Sequence, residues 1–463
     1  MGFKGKNKHI LLVMLIALFL IVVGCSNDSK KTDGESDSNN QANQSETDNT
    51  NDDATNDEEE EEELEPVTLL MMTHWDDGQF ETRIKEHVEA AYPHITLEHV
   101  RSKADEIEEN VFAKGLKPDI IMTSVTHEYL DIELLLDLNP LIEKFDYDLD
   151  RLDPAILNYL KAMSNEGELN GLPYIRPEYA LVYNPDIFDL FGVEYPTDGM
   201  TWDEVIELGK KVTGERNGKH YRGFHPGIPE LFDFMFQQIE DGILVDPETD
   251  EPIIDQSEPF KKYLETLEKV YSIPGNEMAS EEGDERAVNL MRNGDLAMAA
   301  DRAFAGSYVG KSVETGLNFD FVTYPVWGGE YGEYGPNEPG NGLAVTTTTE
   351  HPDDAFRAVM ALLSDEHQAW QAAQGNLPAI TKQEVKDAFM KDHEHYDLLK
   401  DKNLSAITNV EAAPLPIRSR YEKEILEGTG YREALFNKTD INTIIREMQE
   451  KAEGNAKNIT SKN

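Results

Sequence analysis

Apolar and polar positions divide this chain into three regimes. Ile10 to Val23 is an unbroken apolar run, and from Ser26 to about Glu65 apolar residues almost vanish. From Val67 onward, short apolar runs alternate with stretches in which apolar residues recur every three or four positions. Short apolar runs bounded by turn residues read as buried strands, and the wider spacing reads as helix. Val67 to Met72 is thus a predicted strand, ending in the polar turn Thr73-His74-Trp75-Asp76-Asp77-Gly78. Phe80, Ile84, His87, Val88 and Ala91 predict a helix from Phe80 to Ala91 that Pro93 ends. A second strand is expected at Ile95 to Val100, a polar helix around Ala104 to Ala113, and a third strand at Asp119 to Thr123. Strand and helix alternating in this order predict a parallel sheet with helical crossovers. Such sheets bind ligands beyond the carboxyl ends of their strands. That places Trp75 and Asp76, with Thr123, Ser124 and His127, at one cleft edge.

Leu138 to Leu141 and Gly171 to Tyr174 bracket a helical region, and Tyr179 to Asn184 reads as a strand followed by a helix from Pro185 to Phe191. Thr201 with Glu204 three residues on forms a capping box at the head of another helix. Helices are expected at Ile228 to Gln238, Glu258 to Tyr271 and Asp284 to Arg292, and strands at Leu296 to Ala300 and Phe319 to Pro325. A Gly-rich loop runs from Gly328 to Gly342, and the chain reads as mostly helical from Asp353.

The N-terminal regimes change the picture of where the protein works. Lys4, Lys6 and Lys8 precede the apolar run, which falls short of the about 20 residues a spanning helix needs. Basic head, apolar middle and a small residue before the cut make residues 1–24 a secretory signal peptide. Val22-Val23-Gly24-Cys25 resembles the lipobox of bacterial lipoproteins, and Cys25 is the only cysteine of the chain. The resemblance implies a diacylglycerol on the Cys25 thiol and a protein tied to the extracellular face of the cytoplasmic membrane. Residues 25–66, with Glu58 to Glu63 all glutamate, are expected to be an acidic tether too polar to fold. A net charge of −49 excludes nucleic acid as a partner, since phosphates need a basic face. It equally excludes electrostatic docking on anionic lipid, leaving the lipid anchor as the membrane contact.

Several landmarks then recur in one order. They are Gly171-Leu172-Pro173-Tyr174, Leu181 to Phe188, Pro196-Thr197 with Thr201 to Glu204, and Arg292 to Met298. Gly340 to Val345, His351 to Ala355 and Gly375 to Ala379 complete the set. Together they resemble the extracellular solute-binding proteins of ABC importers, the group that includes maltose-binding proteins. The resemblance implies an α/β, two-lobed periplasmic-binding-protein-like fold of type II, with ligand in the interlobe cleft. One lobe is expected from residues 67–177 plus 326–374, the other from 178–325 plus 375–463. Crossings are expected near Tyr174 to Tyr179, Thr323 to Trp327 and Gln374 to Ile380. Closure about them would present one surface to the permease subunits.

A sugar offers C–H faces that stack on aromatic rings and hydroxyls that need paired donors and acceptors. The candidate ligand-binding residues are therefore His74, Trp75, Asp76, Ser124, Tyr174, Glu178, Tyr179, Asp301, Arg302, Phe304, Trp327 and Asn341, with Arg176 beside them. Trp202 and Trp370 are assigned to the core. No Gly-x-Ser-x-Gly, His-Glu-x-x-His or phosphate-cradling Gly-rich loop is present. His393 and His395 read as a solvated face, and Asp146, Asp148 and Asp150 lack the Gly and Glu of a calcium loop. The expectation is a monomeric binding protein for a carbohydrate, without cofactor, metal or catalysis. A peptide, polyamine or iron complex in the same fold, a surface glycoside hydrolase, and a scaffold feeding a sensor kinase remain as alternatives.

Overall fold

The computed structural model describes residues 64–460 apart from 104–105, 124–128, 131, 165–166, 228–234, 240–241, 281–285, 303–304 and 338–340. The signal peptide, Cys25 and nearly all of the tether lie outside the described residues. Glu63–Asn463 forms one compact unit, and both sheets and every apolar cluster described below lie within it. Among the described residues no helix is long and apolar enough to cross a membrane.

The first sheet is built on β1 (Val67–Thr73), which pairs in parallel with β2 (Ile95–Arg101) and β3 (Ile120–Thr123). This is the predicted β–α–β–α–β start. Leu69, Met71, Ile120 and Ile121 are fully buried because helices cover both faces, which is why these strands read as continuous apolar runs. Three further strands complete the sheet: β4 (Leu172–Arg176), β10 (Asn341–Val345) and β11 (Leu377–Pro378). β10 runs antiparallel between β3 and β4, and β11 lies antiparallel on the far side of β4. The second sheet holds β5 (Tyr179–Tyr183), β6 (Gly214–Arg216), β7 (Lys219–His225), β8 (Leu296–Arg302) and β9 (Asp320–Val322), in the order β6-β7-β8-β5-β9. In β5 the two-residue period is visible in the packing. Tyr179, Leu181 and Tyr183 enter one core with Trp202, Phe224 and Tyr324, while Ala180 and Val182 enter another with Tyr308 and Phe319.

Helix ends follow their capping chemistry. The hydroxyl of Thr201 accepts the Glu204 N–H while the Glu204 carboxylate takes the Thr201 N–H, so the expected capping box is formed. Other elements differ from the sequence reading. The first helix starts at Asp77, capped by Asp76, and passes through a π turn at Glu81–Lys85 before ending at Ala91. The polar helix around Ala104 to Ala113 contracts to Ile107–Asn110 plus a 3-10 turn at Phe112–Lys114. Of the helix expected from Ile228, residues 228–234 lie outside the described set and Phe236–Gln238 is a 3-10 turn. The helix expected from Asp284 is described as Ala287–Arg292, and the strand expected from Phe319 is only Asp320–Val322. The hairpin β6–β7 was not expected; Asn217 and Gly218, both at positive φ, turn it.

The connections between the sheets are now definable. The first is the pair Pro177-Glu178, between β4 and β5. The second leaves β9, but Trp327 and Tyr331 still pack on the second-sheet core and the chain rejoins the first sheet at Asn341. It thus returns later than Thr323 to Trp327. The third follows β11: Ile380 and Val385 pack on the first-sheet core, and Phe389 and Met390 on the second-sheet side. Leu377 of β11 itself already packs on that second-sheet side, so the passage begins within Gln374 to Ile380 and continues to Met390.

Candidate functional site

At the carboxyl end of β1, buried Thr73 accepts the Trp75 N–H (3.2 Å) and shares its hydroxyl with His99 Nε2 (3.0 Å). These bonds hold Trp75, which is 8% exposed, with the His74 ring against its edge at 6.0 Å. The Arg83 guanidinium lies 5.5 Å from the Trp75 ring centroid. Burial, then the Arg101 charge, lower the His74 pKa and so favour the neutral imidazole, which carries one donor and one acceptor nitrogen. Asp76 is an exposed N-cap whose Oδ1 accepts the Gln79 N–H at 2.9 Å, so one carboxylate oxygen is committed to the helix.

On the second sheet Tyr179 of β5 lies opposite Arg302 of β8, and Ala180 opposite Asp301. Antiparallel register therefore brings Tyr179, Asp301 and Arg302 to one sheet end, where β5 has just left the first connection. Burial pushes the Tyr179 phenol up while the neighbouring Arg302 charge opposes it. Burial also raises the Asp301 carboxyl, against the Arg302 N–H (2.8 Å) and the Tyr308 hydroxyl (3.4 Å) that donate to it. Glu178 is half-buried in the first connection.

Other candidates are placed elsewhere. Tyr174 is fully buried: its hydroxyl meets His367 Nε2 at 2.9 Å and accepts from the Gln371 amide. It braces the ring of Trp75 from within, at 6.5 Å, rather than lining a surface. Arg176 is taken by Asp153, Nε to Oδ2 at 3.1 Å. Trp327 is half-buried, with its indole N–H donated to the Met235 carbonyl (2.9 Å) and its ring 6.1 Å from Trp202. Trp202 is core, its indole N–H on Gln238. Asn341 opens β10 opposite Ile175. Ser124 and Phe304 lie outside the described residues.

The sequence reading missed a polar cluster that joins the two halves. Tyr159, on the helix Pro154–Met163 of the first core, has its phenol raised by burial, with the Arg418 charge opposing and Glu422 adding. Arg418 Nη1 contacts both Glu422 oxygens at 3.1 Å, and Nη2 reaches the Gly242 carbonyl at 3.4 Å. Arg418 follows Pro414-Leu415-Pro416, where Leu415 packs on the first core, and precedes Ile425, which packs on the second. Two prolines in three residues of a supposedly helical tail were the available signal.

Among the described residues no group of three or more His, Cys, Asp or Glu is arranged to hold a metal. His395 donates its N–H to His393 Nδ1 (3.2 Å), which occupies that nitrogen. A concavity of about 540 Å³ between Tyr271, Met278, Leu435 and Phe436 shares no residue with the strand ends above.

Two sheets with separate cores, joined by three connections, and polar and aromatic groups gathered at the strand ends beside the first connection define a two-lobed cleft-binding protein. The sequence profile of the bacterial extracellular solute-binding proteins matches residues 77–369, and the chain belongs to that family. Solved structures agree in fold. The sugar-binding protein MalE of Xanthomonas citri has 16% identity and a TM-score of 0.64 over 85% of this chain and 98% of its own. A sugar transporter of Rhizobium etli in an open conformation has 18% identity and a TM-score of 0.63 over 84% of this chain and 99% of its own. An ABC substrate-binding protein of Listeria monocytogenes, in complex with cycloalternan, has 19% identity and a TM-score of 0.61 over 84% of this chain and 98% of its own.

Proposed function

We propose that this protein captures an extracellular sugar or oligosaccharide and delivers it to an ABC importer. It does so as a monomer, held at the extracellular face of the cytoplasmic membrane by lipid on Cys25. Its work is binding without chemistry. Two observations support this reading: Trp75 with the His74 ring at its edge beyond the end of β1, and Tyr179, Asp301 and Arg302 brought to one end of the second sheet by the β5–β8 register. Aromatic faces suit sugar C–H surfaces, and charged acceptors bond vicinal hydroxyls strongly. The structurally similar sugar transporter of Rhizobium etli, the cycloalternan complex of Listeria monocytogenes and the sugar-binding protein of Xanthomonas citri support the same ligand class.

The test is thermal unfolding of the compact unit 63–463 against a panel of sugars, polyamines and peptides. A ligand at a hundred times its Kd adds about 2.7 kcal/mol to the folded state. At about 2.1 cal/mol/K of unfolding entropy per residue, that is a rise of roughly 3 °C for about 400 residues. A rise with one sugar class, recovered unchanged, is expected. A rise with polyamines or peptides alone overturns the ligand class, and turnover of a glycan overturns the binding-only reading.

A further inference from the structure

Four hydrogen bonds around the first and third connections close on themselves. The Asp153 N–H donates to the Ala379 carbonyl at 2.8 Å. The Ala379 N–H donates to Gln368 Oε1 at 2.9 Å, and Gln368 Nε2 donates to the Tyr174 carbonyl at 3.3 Å. Two residues along β4, Arg176 Nε returns to Asp153 Oδ2 at 3.1 Å. Gln368 is fully buried and sits on the helix Asp365–Ala373, while Asp153 caps the helix Pro154–Met163 through its other oxygen. The circuit therefore ties two helices to β4 and β11, whose Arg176 and Leu377 also pair directly. The third connection stays on the same helix further out, because the Met390 and Asp392 N–H groups donate to Ala372 and Ala373.

We infer that Gln368, Asp153 and Arg176 are positioning residues for ligand capture: their circuit welds the first-lobe ends of two connections into one plate, so that lobe rotation at the first connection is confined to Pro177-Glu178. The physical argument is one of alternatives. A connection whose backbone groups are bonded into buried partners resists the φ/ψ change of a hinge, because breaking those bonds strands buried polar atoms. Pro177 and Glu178 lie outside both sheets, at the first residues after the circuit ends. Removing a link in the circuit frees Arg176 or Ala379 to take up rotation and so widens the range of lobe positions. The inference rests on the capture reading in that lobe closure is the motion being set, but it is tested without any ligand.

The experiment uses the unit 63–463, which has no cysteine of its own, with spin labels at Ala90→Cys and Val313→Cys, one exposed site on each lobe. Interlobe distances are read by double electron–electron resonance, alongside hydrogen exchange at the Asp153 and Ala379 amides. Arg176→Met is expected to change the ratio of interlobe populations about fivefold or more, the effect of losing one charge-assisted bond. It is also expected to speed exchange at both amides, and Arg176→Lys is expected to restore both readouts. Gln368→Glu, which keeps the acceptor for Ala379 but loses the donor to Tyr174 and, outside the circuit, to the Leu362 carbonyl, is expected to act in the same direction. Should Arg176→Met fail to fold, Asp153→Asn carries the same test, since it keeps an N-cap acceptor and removes the charge. A melting point lowered in these variants with an unchanged distance distribution overturns the inference, as those residues would then be merely structural. The sugar panel fails or succeeds independently, since it reads ligand and this experiment reads lobes.

Discussion

Arg418→Met is the most informative single change at the junction of the two halves. Glu422 is 3% exposed, and its two oxygens each lie 3.1 Å from Arg418 Nη1. Burial raises the Glu422 pKa, and the Arg418 charge and bonds oppose that rise. Removing the guanidinium leaves a buried carboxylate, for which the usual cost is about 3–5 kcal/mol. The Arg418 side chain keeps 19% exposure, so water reaches that side and the lower end, about 3 kcal/mol, applies. At roughly 0.8 kcal/mol/K of unfolding entropy for about 400 residues, the melting point falls by about 4 °C. The pH dependence fixes the cause. A carboxyl with a folded pKa above its unfolded value binds more protons in the native state between the two, so stability falls as pH rises through that window. The variant, with its pKa raised further, should therefore lose most at pH 8 and approach the wild type as pH drops toward 4.5. Glu422→Gln added to Arg418→Met should recover part of the loss at pH 8. Calorimetric melts of the three proteins at pH 8, 6 and 4.5 measure this. A loss as large at pH 4.5 as at pH 8 refutes the buried-charge reasoning and leaves lost packing as the cause.

Three further outcomes follow from other residues. His367 is buried against His87 and its pKa is lowered to about 3, so native His367 stays neutral while the unfolded residue protonates near 6.5. Stability is then fully present above about 6.5 and falls with acidity by about 1.4 kcal/mol per pH unit down to about 3, and His367→Gln should remove one proton from that slope in acid titrations. Gly223 on β7 lies under the helix Trp202–Lys211, and a Cβ there would stand 2.0 Å from the Gly209 carbonyl oxygen. Gly223→Ala should cost about 3 kcal/mol by denaturant unfolding, whereas Gly310→Ala, which meets nothing within 4 Å, should be neutral to slightly stabilising. Trp75→Leu should shrink a sugar-induced melting shift by about a third, since losing the aromatic face costs about 1 kcal/mol, or fivefold in affinity, and leaves about 1.8 of the 2.7 kcal/mol at a hundred times the original Kd; an undiminished shift would remove Trp75 from the site.

What could be read in advance was whatever depends on local pattern. Tyr179 to Tyr183 was legible because both faces of the strand are covered, which forces a continuous apolar run, and Val67 to Met72 because only Thr68 within it is exposed. The hairpin β6–β7 escaped because Lys219-His220-Tyr221-Arg222 is polar and none of the four is fully buried, so no apolar core face shows, although Asn217-Gly218 is a strong turn signal. Tyr179, Asp301 and Arg302 could be named singly from strand ends, but their meeting depends on the antiparallel register of β5 and β8. Tyr174 shows the converse. A tyrosine after Gly-Leu-Pro at a crossing fits a ligand platform and an internal brace equally well. What decides is that β4 lies between β10 and β11 with the helix Asp365–Ala373 over it, closing off the Tyr174 face. His367, Gln368 and Gln371 come from almost two hundred residues downstream, so no window around Tyr174 contains the groups that bury it. The same separation hid Arg418 from Tyr159 and Gln368 from Asp153. Residues at the crossings of this two-lobed chain find their neighbours far away in sequence. The hinge is accordingly where sequence reading loses most, and where substitutions such as Arg176→Met carry the most information.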